Sequence, residues 1–431
     1  MRKSVFGRFS VAILSAMTVL SANGQTSEGK LEVEFQKSEG KIQVEVSEVG
    51  WLAGRFVDIA VSGGYAYAAA GENGFAVIDV SDHSKPKLIS TLEVGRPVWK
   101  VKVAGQHAYL ETAVESVGCG FEIIDVKNPQ APRRVAGDFW QRDFGAFSVN
   151  LDVAGGYLYV TDQDGLRIFD VSNPESPRPM GVYAGEDFGK IAVFGGYAYV
   201  HGRGLQIFNV SDPAQPKMAG VYTNEYELPG GLFLSSGLLF RNVINWNLET
   251  PVGLEIYSVE NPALPRQISI YREPHISPGP FVWIGASSVT MFGKVAYIME
   301  DWRLVYEAGG FAALRVVDLS NPAQPTRVGG YLSPGAGNVA VAEGLIYLPL
   351  NEGLKILQTS VKPRLQIRVE NSQIELSWGG SDGAYKLEQR YGMAADGPWI
   401  ESGYTPNESA GSYTLRLAQP STNTFFRLRK F

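Results

Sequence analysis

The chain is built from short segments in which apolar and polar residues alternate, with Gly, Pro, Asp and Asn between them. One passage, residues 150–183, reads NLDVAG, YLYVTD, LRIFDVS and RPMGVY in turn. Alternation with a period of two places every second side chain on the same face of a β-strand. Helical periodicity is almost absent, and the chain holds 49 Gly and 24 Pro. These features predict an all-β protein.

The four-segment passage recurs along the chain. Each copy reads as four antiparallel strands, called a, b, c and d here in chain order. Four-stranded units repeated at this length are typical of β-propeller blades. The seventh copy stops after strand c. The copies begin at Val57, Trp99, Val149, Gly189, Gly230, Ser287 and Gly337.

The missing strand d of the seventh copy is predicted at the other end of the chain. The segment IQVEVSEVGWLAGR, residues 42–55, has the pattern of a strand d and precedes the first strand a. If it pairs with strand c of the seventh copy, the ring closes and leaves no open end. We therefore predict a seven-bladed β-propeller over residues 42–360 that is closed by its N-terminal strand.

A short polar residue ends strand c in most copies. Its side-chain oxygen is expected to accept the backbone N–H two residues on, which forms an Asx-type turn. Ser258 is a weaker equivalent in the fifth copy. Metal ligation or catalysis is the alternative role, but a residue repeated once per blade is expected to serve the blade. The predicted turn caps are Asp79, Asp125, Asp170, Asn209 and Asp318.

The first 24 residues predict a signal peptide. Arg2, Lys3 and Arg8 precede the apolar segment FSVAILSAMTVL, and the small residues SANG follow it. This apolar segment is short for a membrane span, and no later one is long enough. We expect cleavage after Gly24, a linker over 25–41, and a secreted, periplasmic or cell-surface protein.

Charge and cysteine content narrow the choice of partners. Loss of the leader, with its three basic residues and no acidic one, takes the formal net charge from −6 to −9. A charge of this sign argues against a nucleic-acid partner. Cys119 is the one cysteine of the chain, so an intrachain disulfide is excluded, and we expect its thiol to be buried.

The sequence of the repeat resembles that of LVIVD-repeat proteins, a family of exported β-propellers. The resemblance is carried by LRIFDVSNPESP, LQIFNVSDPAQP, LRVVDLSNPAQP and the GGYAYV hairpins, and covers about residues 42–360. It departs from the family pattern at IYSVENP in the fifth copy and in the truncated seventh copy. The resemblance implies a propeller and a surface location, and it implies no general enzymatic activity.

The tail, residues 364–431, reads as a second set of strands. Leu376-Ser377-Trp378, followed by Tyr385 and Leu387, resembles a fibronectin type III or similar immunoglobulin-like sandwich. In such a sandwich Trp378 would be a buried core residue. The resemblance implies a spacer or attachment module.

Strand direction divides the connections between two ends of the propeller. The a–b and c–d turns form the lower face, and the b–c and d–a connections form the upper face. Long connections are predicted on the upper face, among them the b–c loops at residues 111–120 in blade two and 300–310 in blade six. The propeller's tryptophans also concentrate there. Large aromatic residues beside Arg and Asp are typical of recognition surfaces. The predicted ligand-binding residues are Trp99, Trp140, Arg142, Asp143, Trp246, Trp283, Asp301, Trp302 and Arg303.

We therefore expect a non-enzymatic protein that binds an extracellular or envelope protein or a polysaccharide. One alternative is a carbohydrate-active hydrolase or lyase that uses Asp143, Glu300 and Asp301. Another is a structural envelope component whose upper loops bury their own tryptophans.

No catalytic residue, cofactor or metal is predicted. The four histidines lack metal-ligand spacing, and His201 and His275 are expected to be solvent-exposed. Phosphate-loop and nucleophile-elbow motifs are absent from the sequence. The segment TDQDG, residues 161–165, is compatible with calcium, but an ordinary hairpin turn is favoured.

Overall fold

The structure is a computed structural model. It describes residues 44–114, 117–141, 149–186, 188–202, 204–222, 227–235, 237–245, 253–272, 282–304, 310–333, 337–361, 366–370, 373–379, 385–391, 400–404, 406–409, 412–418 and 424–430. The predicted signal peptide and linker lie outside these residues. Within them, no helix has the length and apolarity needed to cross a membrane.

Every element of the described chain is a β-strand, and the strands follow the predicted units. The first strand is β1 (Val44–Ala53). Blade one holds β2 (Asp58–Ser62), β3 (Tyr65–Ala69), β4 (Phe75–Asp79) and β5 (Lys87–Leu92). Blade two holds β6 (Val98–Ala104), β7 (His107–Val114), β8 (Gly118–Asp125) and β9 (Arg133–Gln141). Blade three holds β10 (Asn150–Ala154), β11 (Tyr157–Asp162), β12 (Gly165–Asp170) and β13 (Arg178–Ala184). Blade four holds β14 (Ile191–Phe194), β15 (Tyr197–Gly202), β16 (Gly204–Asn209) and β17 (Lys217–Tyr222). Blade five holds β18 (Glu227–Ser235), β19 (Leu238–Asn245), β20 (Gly253–Ser258) and β21 (Arg266–Arg272). Blade six holds β22 (Val282–Phe292), β23 (Val295–Leu304), β24 (Gly310–Asp318) and β25 (Thr326–Ser333). Blade seven holds β26 (Ala340–Ala342), β27 (Leu345–Leu350) and β28 (Gly353–Val361).

The blades form a closed ring. Each of the first six is a four-stranded antiparallel sheet in chain order. Their innermost strands contact one another in sequence, from β2 through β6, β10, β14, β18 and β22 to β26, and β26 contacts β2 again. A hydrophobic cluster fills each of the seven interfaces between neighbouring blades. The predicted seven-bladed propeller is therefore confirmed.

The N-terminal strand closes the ring as predicted. Blade seven has the order β1-β28-β27-β26, so β1 takes the place of the missing strand d. It pairs antiparallel with β28 from Val44 opposite Val361 to Ala53 opposite Gly353. Because β1 lies far from β28 in the chain, this pairing ties the two ends of the propeller together.

The outer strand of every blade carries the same irregularity. In blades one to six a one-residue bulge interrupts the c–d pairing at the third residue of strand d. In blade seven, where β1 serves as strand d, the bulge is at Val49. The next residue is always small, and in several blades it abuts the following blade. Ser90 Oγ donates to the Pro129 carbonyl oxygen at 2.7 Å, for example. The seven small residues are Gly50, Ser90, Ala136, Gly181, Gly220, Ser269 and Gly329.

The lower face is uniform because its turns share one hydrogen-bond pattern. Each turn cap accepts the backbone N–H two residues on, at 2.8–3.0 Å. Ser258 Oγ accepts that of Glu260 at 3.3 Å, so the cap is longer in blade five. The residue after each cap binds the a–b turn of its own blade, as Val171 N–H does with the Gly156 carbonyl at 2.8 Å. Gly155 and Gly156 adopt φ of 59° and 82°, a region that disfavours residues with a Cβ.

Some predicted upper connections are strands. In blade two, β7 and β8 pair as far as Val114 and Gly118, across most of the expected loop at residues 111–120. Gly118 and Gly120 have a packing role there, because a Cβ on either would overlap a carbonyl oxygen of β9. Strand β23 likewise extends into the segment expected as the b–c loop of blade six. In blade two the loop prediction was wrong because glycine, which is typical of loops, is also required where strands pack closely.

The tail forms two antiparallel sheets. Their strands are β29 (Gln366–Glu370), β30 (Gln373–Gly379), β31 (Tyr385–Tyr391), β32 (Ile400–Glu401), β33 (Asn407–Ser409), β34 (Ser412–Ala418) and β35 (Thr424–Lys430). One sheet has the order β29-β30-β34-β33 and the other β32-β31-β35. Leu376, Leu387 and Leu415 are buried. These sheets agree with a small β-sandwich, and the fibronectin type III-like assignment stays a prediction.

Candidate functional site

A ring of equivalent positions surrounds the propeller axis at the upper face. Strand a of each blade begins at this face, and the position considered lies seven residues before the first residue of strand b. We call the seven residues there the axial ring. They are polar in six blades and glycine in blade five. The axial ring consists of Asp58, Lys100, Asn150, Lys190, Gly231, Ser288 and Asn338.

Side chains of the axial ring join neighbouring blades. Asp58 Oδ2 accepts the backbone N–H of Val101 in blade two at 2.8 Å. The Lys100 ammonium in turn donates to Asn150 Oδ1 in blade three at 2.5 Å. Ser288 Oγ accepts a backbone N–H of blade seven at 2.9 Å. These links run from one inner strand to the next, so part of the ring has a structural role.

Two carboxylates are buried within this network. Glu111, on β7 opposite Lys100, is 1% exposed and lies with Oε2 2.9 Å from the Lys100 ammonium. Burial raises the pKa of Glu111, and the charge of Lys100 opposes that rise. Burial also raises the pKa of Asp58, against the hydrogen bond from Val101 and that from the Asn338 side chain.

Lys190 is the second lysine of the axial ring. Burial, and next the positive charge of Lys100, lower the pKa of Lys190 to about 7. The charges of Glu111 and Asp58 act in the opposite direction. Lys190 remains partly exposed. The surroundings of Lys190 therefore disfavour its protonated form.

A further layer of charge lies two residues along strand a. The Lys102 ammonium is 3.2 Å from Asp152 Oδ1 in blade three, and the Lys102 side chain is 51% exposed. The negative charge of Asp152 raises the pKa of Lys102, against the effect of burial. Asp152 Oδ2 also accepts the backbone N–H of Val193 at 2.9 Å. This layer repeats the links between neighbouring blades.

Blade five continues the polar network away from the axis. Arg241 Nε donates to His201 Nε2 at 3.3 Å, so that ring nitrogen carries no proton. Arg241 Nη1 lies 3.0 Å from Glu255 Oε2, and Tyr257 Oη donates to the same oxygen at 2.7 Å. His201 is fully buried, so the expectation of a solvent-exposed histidine was wrong. The sequence around His201 did not indicate that Arg241, forty residues further along the chain, would be its hydrogen-bond partner.

Trp99 lies beside the axial ring, and its side chain is partly exposed to solvent. It occupies a bulge of β6, immediately before Lys100. Its indole Nε1–H donates to the Ala113 carbonyl oxygen at 3.1 Å, and the residue is nevertheless 38% exposed. The hydrogen bond restrains the ring and leaves part of its surface accessible.

Trp140 is held by the propeller itself. Its Nε1–H donates to Asp162 Oδ2 at 2.9 Å, and the Arg167 guanidinium lies 5.2 Å from its ring centroid. The ring packs against the buried cluster between blades two and three. Asp162 has no solvent exposure. Trp140 therefore contributes to the fold of the upper face.

The other predicted ligand-binding residues are only partly placed. Arg142, Asp143 and Trp246 lie outside the described residues. The backbone puts Trp283 on β22 opposite Arg303 on β23, with Asp301 and Trp302 also on β23. The side chains of these four residues lie outside the described part of the structure. Residues 142, 143, 246, 283 and 301–303 stay predictions as ligand contacts.

No metal cluster stands out in the described residues. No group of three His, Cys, Asp or Glu side chains there could hold a metal ion. Asp162 and Gly165 pair across the β11–β12 hairpin, and Asp162 Oδ1 accepts the Asp164 N–H at 2.8 Å. TDQDG thus forms the favoured hairpin turn. Cys119 is buried, as expected.

The fold defines the chain as a seven-bladed β-propeller. Comparison with known families identifies the type of its sequence repeat. A family described as LVIVD repeat matches residues 53–94, 148–184, 187–224 and 285–333. These stretches lie in blades one, three, four and six. LVIVD repeats in a propeller indicate a binding or scaffold role. No curated protein matches the chain.

Several solved structures are similar to the chain at low identity. A putative 6-phosphogluconolactonase from Bacteroides fragilis is 9% identical, with 91% of this chain and 100% of that chain covered and a TM-score of 0.49. The N-terminal domain of Nup159 is 15% identical, with coverages of 75% and 97% and a TM-score of 0.44. The computationally designed Ika8 protein is 6% identical, with coverages of 72% and 98% and a TM-score of 0.46.

Proposed function

We propose that the chain is an exported, non-enzymatic binding protein that takes an extracellular or envelope ligand at the upper face, beside the axial ring. The observation that carries this proposal is Trp99. A large aromatic ring, restrained by a hydrogen bond and partly open to solvent, offers contact area at a low cost in side-chain entropy. The tail is a spacer or attachment module in this proposal.

The partly exposed position of Trp99 next to Lys100 supports a ligand with both apolar and polar surface. Binding sites for such ligands combine an aromatic wall with a few oriented polar groups. Lys100, Asn150 and Lys190 are polar groups of this kind around the axis. A polysaccharide fits this combination, because sugar rings present C–H faces beside hydroxyl groups.

Asp58 of the axial ring and the neighbouring Glu111 support binding better than hydrolysis. A hydrolase needs two carboxyl groups that reach the substrate. Asp58 and Glu111 are 4% and 1% exposed, and each is engaged by a neighbouring blade or strand. Asp143, Glu300 and Asp301, which the hydrolase alternative requires, lie outside the side chains described.

The experiment is a screen of the mature chain against glycans and envelope proteins, followed by two tryptophan variants. Trp99 and Trp51 are almost equally exposed, at 38% and 39%, but Trp51 lies on the outer strand β1. We expect W99A to weaken binding of the best ligand at least tenfold and W51A to leave it unchanged. Equal binding by wild type and W99A would contradict the proposal.

A further inference from the structure

The lower face carries exposed apolar side chains at positions where the repeat has small or polar ones. The last residue of strand a is Ser or Ala in five blades, but it is Phe194 in blade four and Phe292 in blade six. Phe194 and Phe292 are 41% and 46% exposed. Because the other blades form the same turn with a small residue there, the turn itself does not require phenylalanine.

Leu264, in the c–d turn of blade five, is a third departure from the repeat. The residue at this point donates its backbone N–H to the carbonyl oxygen three positions earlier in each of the six c–d turns. It is Lys, Ala, Ser or Gln in the other five turns. Leu264 keeps the hydrogen bond, at 3.0 Å to Asn261, and is 63% exposed. The turn therefore does not require an apolar residue here either.

Phe194 and Leu264 belong to adjoining turns, and we call them the first apolar spot. A Cβ on Gly195 would lie 3.2 Å from Pro262 Cγ, so the a–b turn of blade four touches the c–d turn of blade five. The Tyr199 hydroxyl donates to the Pro262 carbonyl oxygen at 2.9 Å, which holds these turns together. Phe194 precedes Gly195 in the chain, and Leu264 follows Pro262 by two residues.

Phe292 is the second apolar spot, two blades further round the ring. A Cβ on Gly344 would lie 3.9 Å from Phe292 Cε1, so the Phe292 ring extends towards the a–b turn of blade seven. Ser235 of blade five and Gln324 of blade six, both polar, come between the two spots in the order of the blades. A two-fold axis that runs along the lower face between the spots would place the first spot of each copy against the second spot of another.

A charged residue beside each spot also departs from the repeat. Glu260, in the c–d turn of blade five with Leu264, is exposed, and the other five turns have Ser or Lys at this position. Lys294, in the a–b turn that follows Phe292, is exposed, and the other six turns have Gly or Gln there. Contact between unlike spots therefore brings a carboxylate near an ammonium, whereas contact between like spots brings like charges together.

We propose that the lower face binds a second copy of this chain, with the first apolar spot of each copy against the second spot of the other. Lys294 of each copy then faces Glu260 of the other. A two-fold contact needs a surface that is complementary to itself, and both the apolar and the charged departures from the repeat meet this requirement. The two upper faces point away from each other in such a dimer, so it can hold two ligands at once and gain avidity for a polymeric ligand.

Sedimentation velocity of the mature chain at several protein concentrations tests the proposal. L264Q introduces the residue that blades four and six have at this point, and F292A introduces that of blades two, three and seven, so both turns should still form. V182Q is the matched control for L264Q, because Val182 is 61% exposed but lies on the outer strand β13. A thermal melt of each variant verifies folding.

We expect wild type and V182Q to dimerise with the same Kd. L264Q and F292A should each raise that Kd about tenfold, because a two-fold contact loses the apolar side chain twice. K294E and E260K should each weaken the dimer as well, since either change brings like charges together. The double variant K294E/E260K should restore dimerisation, because its exchanged charges are again opposite.

A wild-type chain that stays monomeric at every concentration would overturn the proposal and leave the two spots to a different partner. Dimerisation of L264Q as tight as that of V182Q would overturn it too, because the contact would then lie elsewhere. Failure of K294E/E260K to dimerise more tightly than the single variants would contradict the opposed arrangement of the spots. The binding function of the upper face, which W99A tests, does not depend on these results.

Discussion

The backbone carbonyl of His83 lies directly against the α-carbon of Gly50, so that a Cβ on residue 50 would overlap its oxygen. Gly50 belongs to the N-terminal strand and His83 to the c–d turn of blade one. The contact is therefore part of the seam at which the ring closes. It repeats the contact between a small residue of strand d and the following blade that is seen at Gly181 and Pro213.

The first prediction concerns this seam. G50A should destabilise the propeller by about 1–3 kcal/mol, because the added methyl group forces the backbone of β1 or of blade one to move. G220A is the matched control, since a Cβ there meets nothing closer than 3.9 Å. Urea unfolding measures both changes. A loss in G220A as large as that in G50A would contradict the account.

The second prediction concerns Trp140. W140F should cost about 1–3 kcal/mol, because it removes an N–H donor from the buried Asp162 carboxylate. W99F removes the hydrogen bond from the indole N–H to the Ala113 carbonyl, near the end of β7. Because Trp99 is exposed, W99F should reduce the free energy of unfolding by less than W140F does. Denaturant unfolding of the two variants decides between these roles. If W140F is the more stable of the two, Trp140 does not hold the upper face.

The third prediction concerns the turn cap Asp170. Hydrogen bonds from the Ser172 hydroxyl and the Ser172 N–H, and next from Arg178, lower the pKa of Asp170 to about 2. A carboxyl whose pKa is lower in the folded chain stabilises the fold above its unfolded pKa of 3.8, and this contribution disappears as the pH falls towards 2.

The variant that tests this prediction is D170N. Asn209 forms the same cap in blade four, where its Oδ1 accepts the Ser211 N–H at 3.0 Å. D170N should keep the turn and show a smaller fall in melting temperature between pH 5 and pH 2 than wild type. D170A should be less stable than D170N at pH 7. Identical acid profiles for wild type and D170N would show that Asp170 does not titrate as described.

The fourth prediction concerns the stability cost of Lys190. Its pKa is lowered from 10.5 to about 7 in the folded chain, so the unfolded chain binds more protons between these values. The wild-type free energy of unfolding should therefore rise, relative to that of K190M, as the pH increases from 7 to 10. Urea unfolding at both pH values measures this difference. A wild-type free energy of unfolding that stays constant or falls relative to that of K190M would contradict the lowered pKa of Lys190.

The sequence contains enough periodic information for the ring and its closure. Strand alternation, the recurring turn and the missing seventh strand d predict seven blades and the pairing of β1 with β28. The small residue of strand d was also visible in the sequence, as Gly50 shows, but its packing role emerges only when the neighbouring blade is in place.

The candidate site was much less predictable. Lys100 and Asn150 occur at polar positions of strands whose alternation is already explained by the fold, so nothing local marks them as neighbours. Trp140 stays a predicted ligand contact, and its hydrogen bond to Asp162 of another blade was not predicted. Long-range contacts of this kind depend on how the blades are arranged around the axis.

Hydrogen–deuterium exchange of the complex tests the location of the binding site most directly. With the best ligand of the screen bound, the account predicts slower exchange at the upper ends of the inner strands, around residues 98–101 and 149–151. The a–b turns at residues 63–64 and 155–156, on the lower face, should exchange as in the free protein. Protection of those turns, with no change around residues 98–101, would contradict the account.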